Sequence, residues 1–235
     1  MVSSEYAGRG KQERMDTATG ETLMTIYDLL FTAYGPQNWW PADSQFEMMI
    51  GAILTQNTSW NNAEKAIHNL KKRHLLSVEA LVDIPAPRLA EHIRPAGYFN
   101  IKAKRLKNLI VFIQEKYDGD LDELFSGSTE TIRMALLSVR GIGLETADSM
   151  ILYGAGRPLF VVDTYTHRIL SRHNLIGEEA GYYELQTVFM ENLPHDAELF
   201  KEFHALIVKT GKDYCRKKPL CPDCPLEHVN RGIYG

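Results

Sequence analysis

The chain has 235 residues, 44% of them hydrophobic and 24% charged, and its formal net charge at pH 7 is −4. This composition is typical of a folded protein with one large or two small domains, and it excludes a wholly disordered chain. No apolar run approaches the ~20 residues that a membrane-spanning helix needs. The net negative charge argues against a uniformly basic nucleic-acid-binding protein, although basic residues cluster at 71–73, 102–107 and 216–218.

The first 20 residues are polar and lack the apolar stretch of a signal peptide. We therefore expect residues 1–20 to form a disordered tail and the protein to be cytoplasmic.

Two adjacent tryptophans, Trp39 and Trp40, precede Pro41 and the first clear helical pattern. Neighbouring residues cannot share one face of a helix, so this pair is a candidate for a binding surface. The helix that follows carries apolar residues at helical spacing, namely Phe46, Met49, Ile50, Ile53 and Leu54. At this spacing Phe46 is a candidate for core packing or for ligand contact.

The helical period continues along the chain, whereas the alternation expected of β-strands is nowhere sustained. We therefore predict an all-α protein. Capping residues stand at the expected helix starts, and Gly or Pro at the junctions. The further predicted helices comprise residues 62–72, 87–92, 106–117, 129–138, 144–153, 164–173, 181–191 and 196–212.

A glycine-containing turn joins two of these helices, with Gly141 and Gly143 in the turn and Leu144, Glu145 and Thr146 at the start of the second helix. Glycine allows a tight turn and close backbone approach, and the first amide groups of a helix are free to bind a phosphate oxygen. Such contacts hold nucleic acid without reading its sequence. The same pattern also fits an ordinary turn between packed helices.

Asp163 follows the apolar pair Val161 and Val162 and precedes the helix predicted at Thr164. In this position it suits the N-cap of that helix. An ionised carboxylate in a water-poor site would also stabilise a developing cation and orient or deprotonate a water molecule. The two roles are compatible, and Asp163 is our main catalytic candidate.

The hairpin at 136–148, the Gly/Pro-rich connection at 154–158 and Asp163 together resemble the helix-hairpin-helix (HhH-GPD) DNA glycosylases related to endonuclease III. The resemblance extends from Trp39 to the C-terminal cysteines. It implies a monomeric, nucleoid-associated enzyme of base excision repair that acts on damaged bases in double-stranded DNA. In such an enzyme the hairpin residues from Gly141 to Thr146 bind DNA and Asp163 is catalytic.

The resemblance also implies a two-domain helical fold with the active site in the cleft between the domains. The central domain would comprise residues 42–153 and contain the hairpin. The second domain would comprise 21–41 together with 154–235, and it would end in the cysteine loop.

Glu145 separates two chemistries within this superfamily. Enzymes that also cleave the DNA strand carry a lysine in the pattern Gly-x-Lys-Thr-Ala, whereas residues 143–147 have a glutamate at that position. A glutamate cannot form the Schiff base that opens the sugar ring. The resemblance therefore implies a monofunctional enzyme that uses water as its nucleophile and needs no cofactor for the chemistry.

Segments 39–41, 46–58 and 94–106 further resemble the bacterial 3-methyladenine DNA glycosylases of the endonuclease III type, which share this glutamate. That branch implies excision of alkylated purines such as 3-methyladenine. Methylation at N3 makes the base cationic, so the flipped base can be selected by stacking on aromatic faces.

The substrate-binding candidates are accordingly Trp39, Trp40 and Phe46. Gln56 would enter the duplex and fill the space left by the flipped nucleotide. A capping role at the end of its helix is the other interpretation of Gln56.

Three other functions are compatible with the sequence. A bifunctional endonuclease III-type glycosylase/AP lyase on damaged pyrimidines would need an amine that the hairpin lacks. An adenine-mismatch glycosylase would also lack the lysine, but the chain is short for that family. A non-enzymatic alternative is a helix-hairpin-helix DNA-binding protein that has lost activity.

Cys215, Cys221 and Cys224 are the three cysteines of the chain, so a disulfide framework is not expected. Related enzymes use four cysteines for a structural [4Fe-4S] cluster, but here Asn230 stands at the fourth position. His228 could complete an iron or a zinc site. The third possibility is a loop that no longer holds metal.

Overall fold

The computed structural model describes residues 17–229, and every regular element in this part of the chain is helical, so the all-α prediction is confirmed. None of the helices described is both long and apolar enough to cross a membrane. The α-helices are α1 (Thr17–Tyr34), α2 (Gln45–Leu54), α3 (Trp60–Lys71), α4 (Val78–Val82), α5 (Ala86–His92), α6 (Phe99–Tyr117), α7 (Leu121–Phe125), α8 (Thr129–Leu137), α9 (Leu144–Ser149), α10 (Thr164–Arg172), α11 (Tyr182–Asn192) and α12 (Ala197–Asp213).

The N-terminal boundary differs from the prediction. Helix α1 begins at Thr17, so residues 17–20 are helical and do not belong to a disordered tail, while residues 1–16 lie outside the described part. The helix is held by its apolar face, on which Leu23 and Ile26 are at most 1% exposed. Burial of such side chains outweighs the polar character of the first turn.

Two hydrophobic cores organise the described residues. The first is built from α2 to α9 and includes Met49, Leu106 and Ile110, all completely buried. The second is built from α1, α10, α11 and α12, and in it the rings of Phe160 and Phe189 stack with centroids 3.6 Å apart. Full burial of one such side chain contributes about 1.5–3 kcal/mol.

The two cores meet at a π-helical turn, Met150–Gly154, where the predicted helix 144–153 departs from α-helical geometry. Tyr153 in this turn and Met190 in α11 pack against both cores. The turn therefore brings a partly exposed aromatic residue to the junction between the two halves of the molecule.

A buried polar network fixes α9 against the second core. Asp148 accepts hydrogen bonds from Arg133 Nε at 2.8 Å and Nη2 at 2.7 Å, from Tyr182 Oη at 2.7 Å and from Gln186 Nε2 at 2.8 Å. Gln186 Nε2 also donates to the main-chain oxygen of Phe160 at 2.6 Å. The network thus links the second helix of the hairpin to the segment that leads to Asp163.

Candidate active site

The hairpin follows α8 and depends on Gly141. This residue has φ +103°, a backbone conformation that favours glycine. A Cβ atom there would lie 2.4 Å from Cγ of Arg105, so a larger residue is excluded by space as well. Gly143 is the N-cap of α9, and nothing lies within 4 Å of its hypothetical Cβ, so the backbone at this point faces open space.

Gln56 is bonded to the hairpin. Its Nε2 donates to Gly141 O at 3.2 Å and to Thr146 Oγ1 at 2.9 Å, while its Oε1 accepts from Arg105. The side chain therefore connects the loop after α2 to both sides of the hairpin. Leu144, which follows Gly143, is half-buried at the start of α9.

Lys102 binds the same loop through a buried ammonium group, a role that no sequence pattern indicated. Its buried Nζ donates to Leu54 O at 2.7 Å, Thr58 Oγ1 at 2.9 Å and Ala96 O at 2.8 Å. Desolvation, followed by the charge of Arg105, lowers the pKa of Lys102 to about 8. The lysine therefore joins the loop after α2 and the turn before α6 into one surface with the hairpin.

The two carboxylate oxygens of Asp163 have different surroundings. Oδ1 accepts from Tyr165 N at 3.0 Å, from Thr166 N at 2.7 Å and from Thr166 Oγ1 at 2.9 Å, which caps α10. Oδ2 has no hydrogen-bond donor among residues 17–229 and faces Nε2 of His204 at 3.8 Å. The capping bonds fix the carboxylate and leave one oxygen available for chemistry.

Glu145 lies close enough to Asp163 for their charges to interact. Glu145 is exposed to solvent, but the protein around its carboxyl partly desolvates this group. Desolvation and, after it, the charge of Asp163 raise the pKa of Glu145 to about 7. At neutral pH this carboxyl is therefore partly protonated.

Three tryptophans form an aromatic cluster. The ring centroids of Trp39 and Trp40 are 4.9 Å apart, those of Trp39 and Trp60 are 4.6 Å apart, and those of Trp40 and Trp60 are 5.7 Å apart. All three residues are half-buried. Trp40 also packs edge-on against Tyr153, with centroids 5.5 Å apart.

The sequence pattern singled out Trp39 and Trp40 as candidates for stacking on a base, and it did not single out Trp60. Trp60 begins α3 in phase with the buried Ala63 and Ile67, so its spacing indicates core packing. Phe46, the third candidate, is 5% exposed and packs in the first core, so its assignment to the base-binding surface is corrected.

Gly51 in α2 gives Trp40 its position. A Cβ atom at Gly51 would lie 3.1 Å from Trp40 Nε1 and 3.3 Å from its ring carbon Cζ2, tighter than ordinary van der Waals contact. The glycine therefore lets the indole lie directly on the helix.

Tyr153 and His204 connect the aromatic cluster to Asp163. The Tyr153 hydroxyl is 2.7 Å from His204 Nδ1 and also donates to Lys201 O at 3.2 Å. His204 itself lies in α12 and is almost completely buried. The cluster, the tyrosine, the histidine and the carboxylate thus form one continuous site at the junction of the two cores.

A family model for the HhH-GPD superfamily of base excision DNA repair proteins matches residues 50–195. The chain belongs to this superfamily. A DNA repair glycosylase of Methanocaldococcus jannaschii, whose own assignment is provisional, is 50% identical over 209 residues, which cover 88% of this chain and 94% of that protein. Endonuclease III of Thermotoga maritima is 27% identical over 184 residues, covering 78% and 81% of the two chains.

Solved structures agree with this membership. The 3-methyladenine DNA glycosylase of Helicobacter pylori, bound to 1,N6-ethenoadenine, matches with a TM-score of 0.72 and 30% identity over 83% of this chain and 97% of that chain. A trapped endonuclease III–DNA covalent intermediate matches with a TM-score of 0.76 over 89% and 94%, and its 21% identity shows the fold alone.

This protein is therefore an endonuclease III-like DNA glycosylase of base excision repair. Its relatives include both a 3-methyladenine enzyme and endonuclease III. The substrate class consequently depends on the residues of its own site.

The three cysteines of this HhH-GPD protein line one cavity of about 830 Å³. Cys215 is buried, Cys221 is exposed and Cys224 is half-buried. Arg172 Nη1 donates to Cys215 Sγ at 3.2 Å and to Arg216 O at 2.7 Å, so protein groups already hold this end of the loop.

The cluster that endonuclease III relatives carry would need a fourth ligand here. Within residues 17–229, no three His, Cys, Asp or Glu side chains are arranged to hold a metal ion. The side chain of His228 is 92% exposed, and Asn230 lies outside the described residues. The donors described therefore do not make up the ligand set of a [4Fe-4S] cluster.

Proposed function

We propose that this protein is a monofunctional DNA glycosylase that hydrolyses the N-glycosidic bond of alkylated purines such as 3-methyladenine. One observation carries the proposal: the cluster of Trp39, Trp40 and Trp60 is joined through Tyr153 to the site of Asp163. A cationic base would stack on the indole faces, and the carboxylate would stabilise the sugar cation that forms when the base leaves.

Hydrolysis suits an alkylated purine because the positive charge on the base already makes it a good leaving group. The enzyme then needs little acid catalysis. Its remaining tasks are to select the flipped base, to stabilise the oxocarbenium-like sugar and to position a water molecule. Carboxylate and water suffice for these steps, so the proposal requires no cofactor.

Two positions support hydrolysis over the lyase reaction. The hairpin position that carries a lysine in the lyases has Glu145 in this chain. Lys102 has a lowered pKa, but its Nζ is buried and donates to three acceptors, so it is not placed to attack a sugar.

We further propose that the duplex lies across the hairpin and the loops joined to it. Gly143 opens to free space, and Tyr98 and Ile101, which are 68% and 52% exposed, stand at the start of α6 on the turn held by Lys102. An exposed aromatic ring on such a surface can stack on a base. In the free protein Gln56 is hydrogen-bonded to the hairpin. In the complex it would give up these hydrogen bonds and bind the base whose partner has been flipped out of the duplex.

The experiment is mass spectrometry of the bases released from methylated duplex DNA by the wild type and by Asp163→Asn. We expect release of 3-methyladenine by the wild type and a rate at least about 100-fold lower in the variant, since both carboxylate functions are lost. Borohydride should trap no covalent complex.

Trp60→Ala and Phe46→Leu form a matched pair for the aromatic cluster. Stacking on an aromatic side chain is worth about 1–3 kcal/mol, so Trp60→Ala should reduce alkylpurine excision by roughly 5- to 150-fold while binding to abasic DNA is kept. Phe46→Leu should lower stability but leave substrate preference unchanged, because this ring lies in the core.

Other outcomes would point to other functions. A borohydride-trapped complex, with release of damaged pyrimidines, would indicate the bifunctional enzyme. Removal of adenine from mismatches alone would indicate the adenine-mismatch enzyme. Tight DNA binding without release of any base would indicate a DNA-binding protein that has lost activity.

A further inference from the structure

His204 and Asp163 present two hydrogen-bond acceptors to one another. Asp163 Oδ2 and His204 Nε2 are 3.8 Å apart, too far for a direct hydrogen bond. His204 Nε2 is completely buried and has no hydrogen-bond partner in the described part of the chain. A buried polar atom left in this state is costly, so an occupant of the gap is expected.

The tautomer of His204 follows from Tyr153. The tyrosine hydroxyl has one hydrogen, and the carbonyl of Lys201, 3.2 Å away, can only accept. The arrangement that uses both contacts has Tyr153 donating to Lys201 O and His204 Nδ1–H donating to the tyrosine oxygen at 2.7 Å. Nε2 then carries a lone pair and faces the carboxylate as an acceptor.

The surroundings keep the imidazole neutral. Its ring lies 5.9 Å from that of Tyr153 and 6.5 Å from that of Phe160, and the residue is 7% exposed. Burial lowers the pKa of His204, with the charge of Asp163 acting in the opposite direction. A neutral histidine beside a carboxylate leaves two acceptors without a donor.

We propose that His204 Nε2 and Asp163 Oδ2 jointly hold the attacking water, and that His204 takes the proton which this water sheds. The proposal rests on the hydrolytic function proposed above. A water about 2.8 Å from both atoms fits the 3.8 Å separation and satisfies both acceptors with its two hydrogens. Its lone pairs are then directed away from both groups and are free to attack.

Atoms and charges balance in this step. The bond from C1′ to the base nitrogen breaks, and its electron pair leaves with the base, which departs neutral if it was cationic. The water oxygen bonds to C1′, and its proton moves to His204 Nε2. Asp163 stays ionised throughout, so it can stabilise the sugar cation and afterwards the imidazolium.

The test compares His204→Gln, Asp163→Asn and the control His68→Gln. The His204→Gln substitution preserves much of the volume and polarity of the side chain but removes the base, and His68 is an exposed histidine on α3. Two quantities are measured for each variant: the single-turnover rate of 3-methyladenine release, and the affinity for duplexes with a cationic pyrrolidine or a neutral tetrahydrofuran abasic analogue.

We expect His204→Gln to lose about 100-fold in rate, within the range of general-base catalysis, while it keeps the wild-type preference for the pyrrolidine duplex. Asp163→Asn should lose both the rate and the preference, and His68→Gln neither. If His204→Gln misfolds and fails to bind the tetrahydrofuran duplex, His204→Asn is measured in its place. We expect the same rate loss and the same preference from it.

Two results would overturn this inference and leave the proposed function standing. One is a His204→Gln rate within about threefold of the wild type, well inside the loss expected for a missing base. The other is a loss of the pyrrolidine preference as large as that of Asp163→Asn, which would make His204 only a support for the carboxylate. If the wild type itself releases no alkylated base, the proposed function fails and this inference falls with it.

Discussion

We expect one side chain, Glu145, to make the stability of the protein depend on pH. Desolvation and the nearby Asp163 raise its pKa from 4.5 to about 7 in the folded state. Between these two pH values the folded state binds a proton that the unfolded state has released, so stability falls as pH rises through this window. Well below pH 4.5 the carboxyl is protonated in both states, and well above pH 7 it is ionised in both and the loss is complete.

Glu145→Gln should therefore raise the melting temperature at pH 8, by a few degrees, and leave it unchanged at pH 4.5. Thermal melts of the two proteins at both pH values check this, with Glu64→Gln on the exposed side of α3 as the control. An offset of equal size at both pH values would attribute the effect to packing instead of ionisation.

The residues that the sequence identified owe their roles to their neighbours in the chain. Glu145 and Asp163 stand at helix starts, where capping and hairpin chemistry depend on a few adjacent residues. The sequence did not identify Trp60 and His204, because their proposed roles depend on contacts with residues far away in the chain. Trp60 contacts Trp39, and His204 contacts Tyr153. Periodicity assigns such residues to the core, since it contains no information about what another helix brings beside them.

Among the helices, the network around Asp148 holds the hairpin and the segment that leads to Asp163 in their relative position. The carboxylate is completely buried and paired with Arg133, and Gln186 extends the network to Phe160. Such a pair is costly to break by removing one partner, because the other charge stays buried.

Asp148→Ala should accordingly lower the free energy of unfolding by about 3–5 kcal/mol, measured by urea denaturation. The double variant Arg133→Met, Asp148→Leu should recover most of this loss because it removes both charges. If the double variant is as unstable as the single one, the network matters through its shape and not through its unpaired charge.

The elements themselves were largely predictable, and their mutual positions were not. The 3.6-residue period of apolar side chains located most helices, and the two glycines located the hairpin. The same period contained no sign of Lys102, whose three acceptors lie in segments 6 to 48 residues away. Nor could it show that Gly51 is needed for Trp40, because that contact joins a helix to a loop.

For the molecule as a whole, packing in the first core explains how a chain of net negative charge can form the proposed DNA surface. The net charge of −4 is an average over all surfaces, whereas binding depends on the face that meets the phosphates. The proposed DNA surface combines the hairpin with the loops held by Lys102, and this combination exists only after α2, α6 and α9 have packed in the first core. Composition alone could not reveal it.

Arg140 provides the test of this surface. It is exposed and precedes Gly141 in the hairpin, where its cation would lie against the DNA backbone. Each phosphate that a protein neutralises contributes about −0.9 to the slope of log K against log salt concentration for duplex DNA. Arg140→Ala should therefore make this slope shallower by about 0.9 and weaken binding to damaged and undamaged duplexes equally.

The matched control is Arg88→Ala, an exposed arginine near the start of α5, at the end of that helix away from the turn at 94–96. Its salt slope should equal that of the wild type, because a cation outside the DNA surface releases no counterions on binding. Equal slopes for the wild type and both variants would place the duplex away from the hairpin. A shallower slope for Arg88→Ala alone would move the DNA surface to the opposite end of α5.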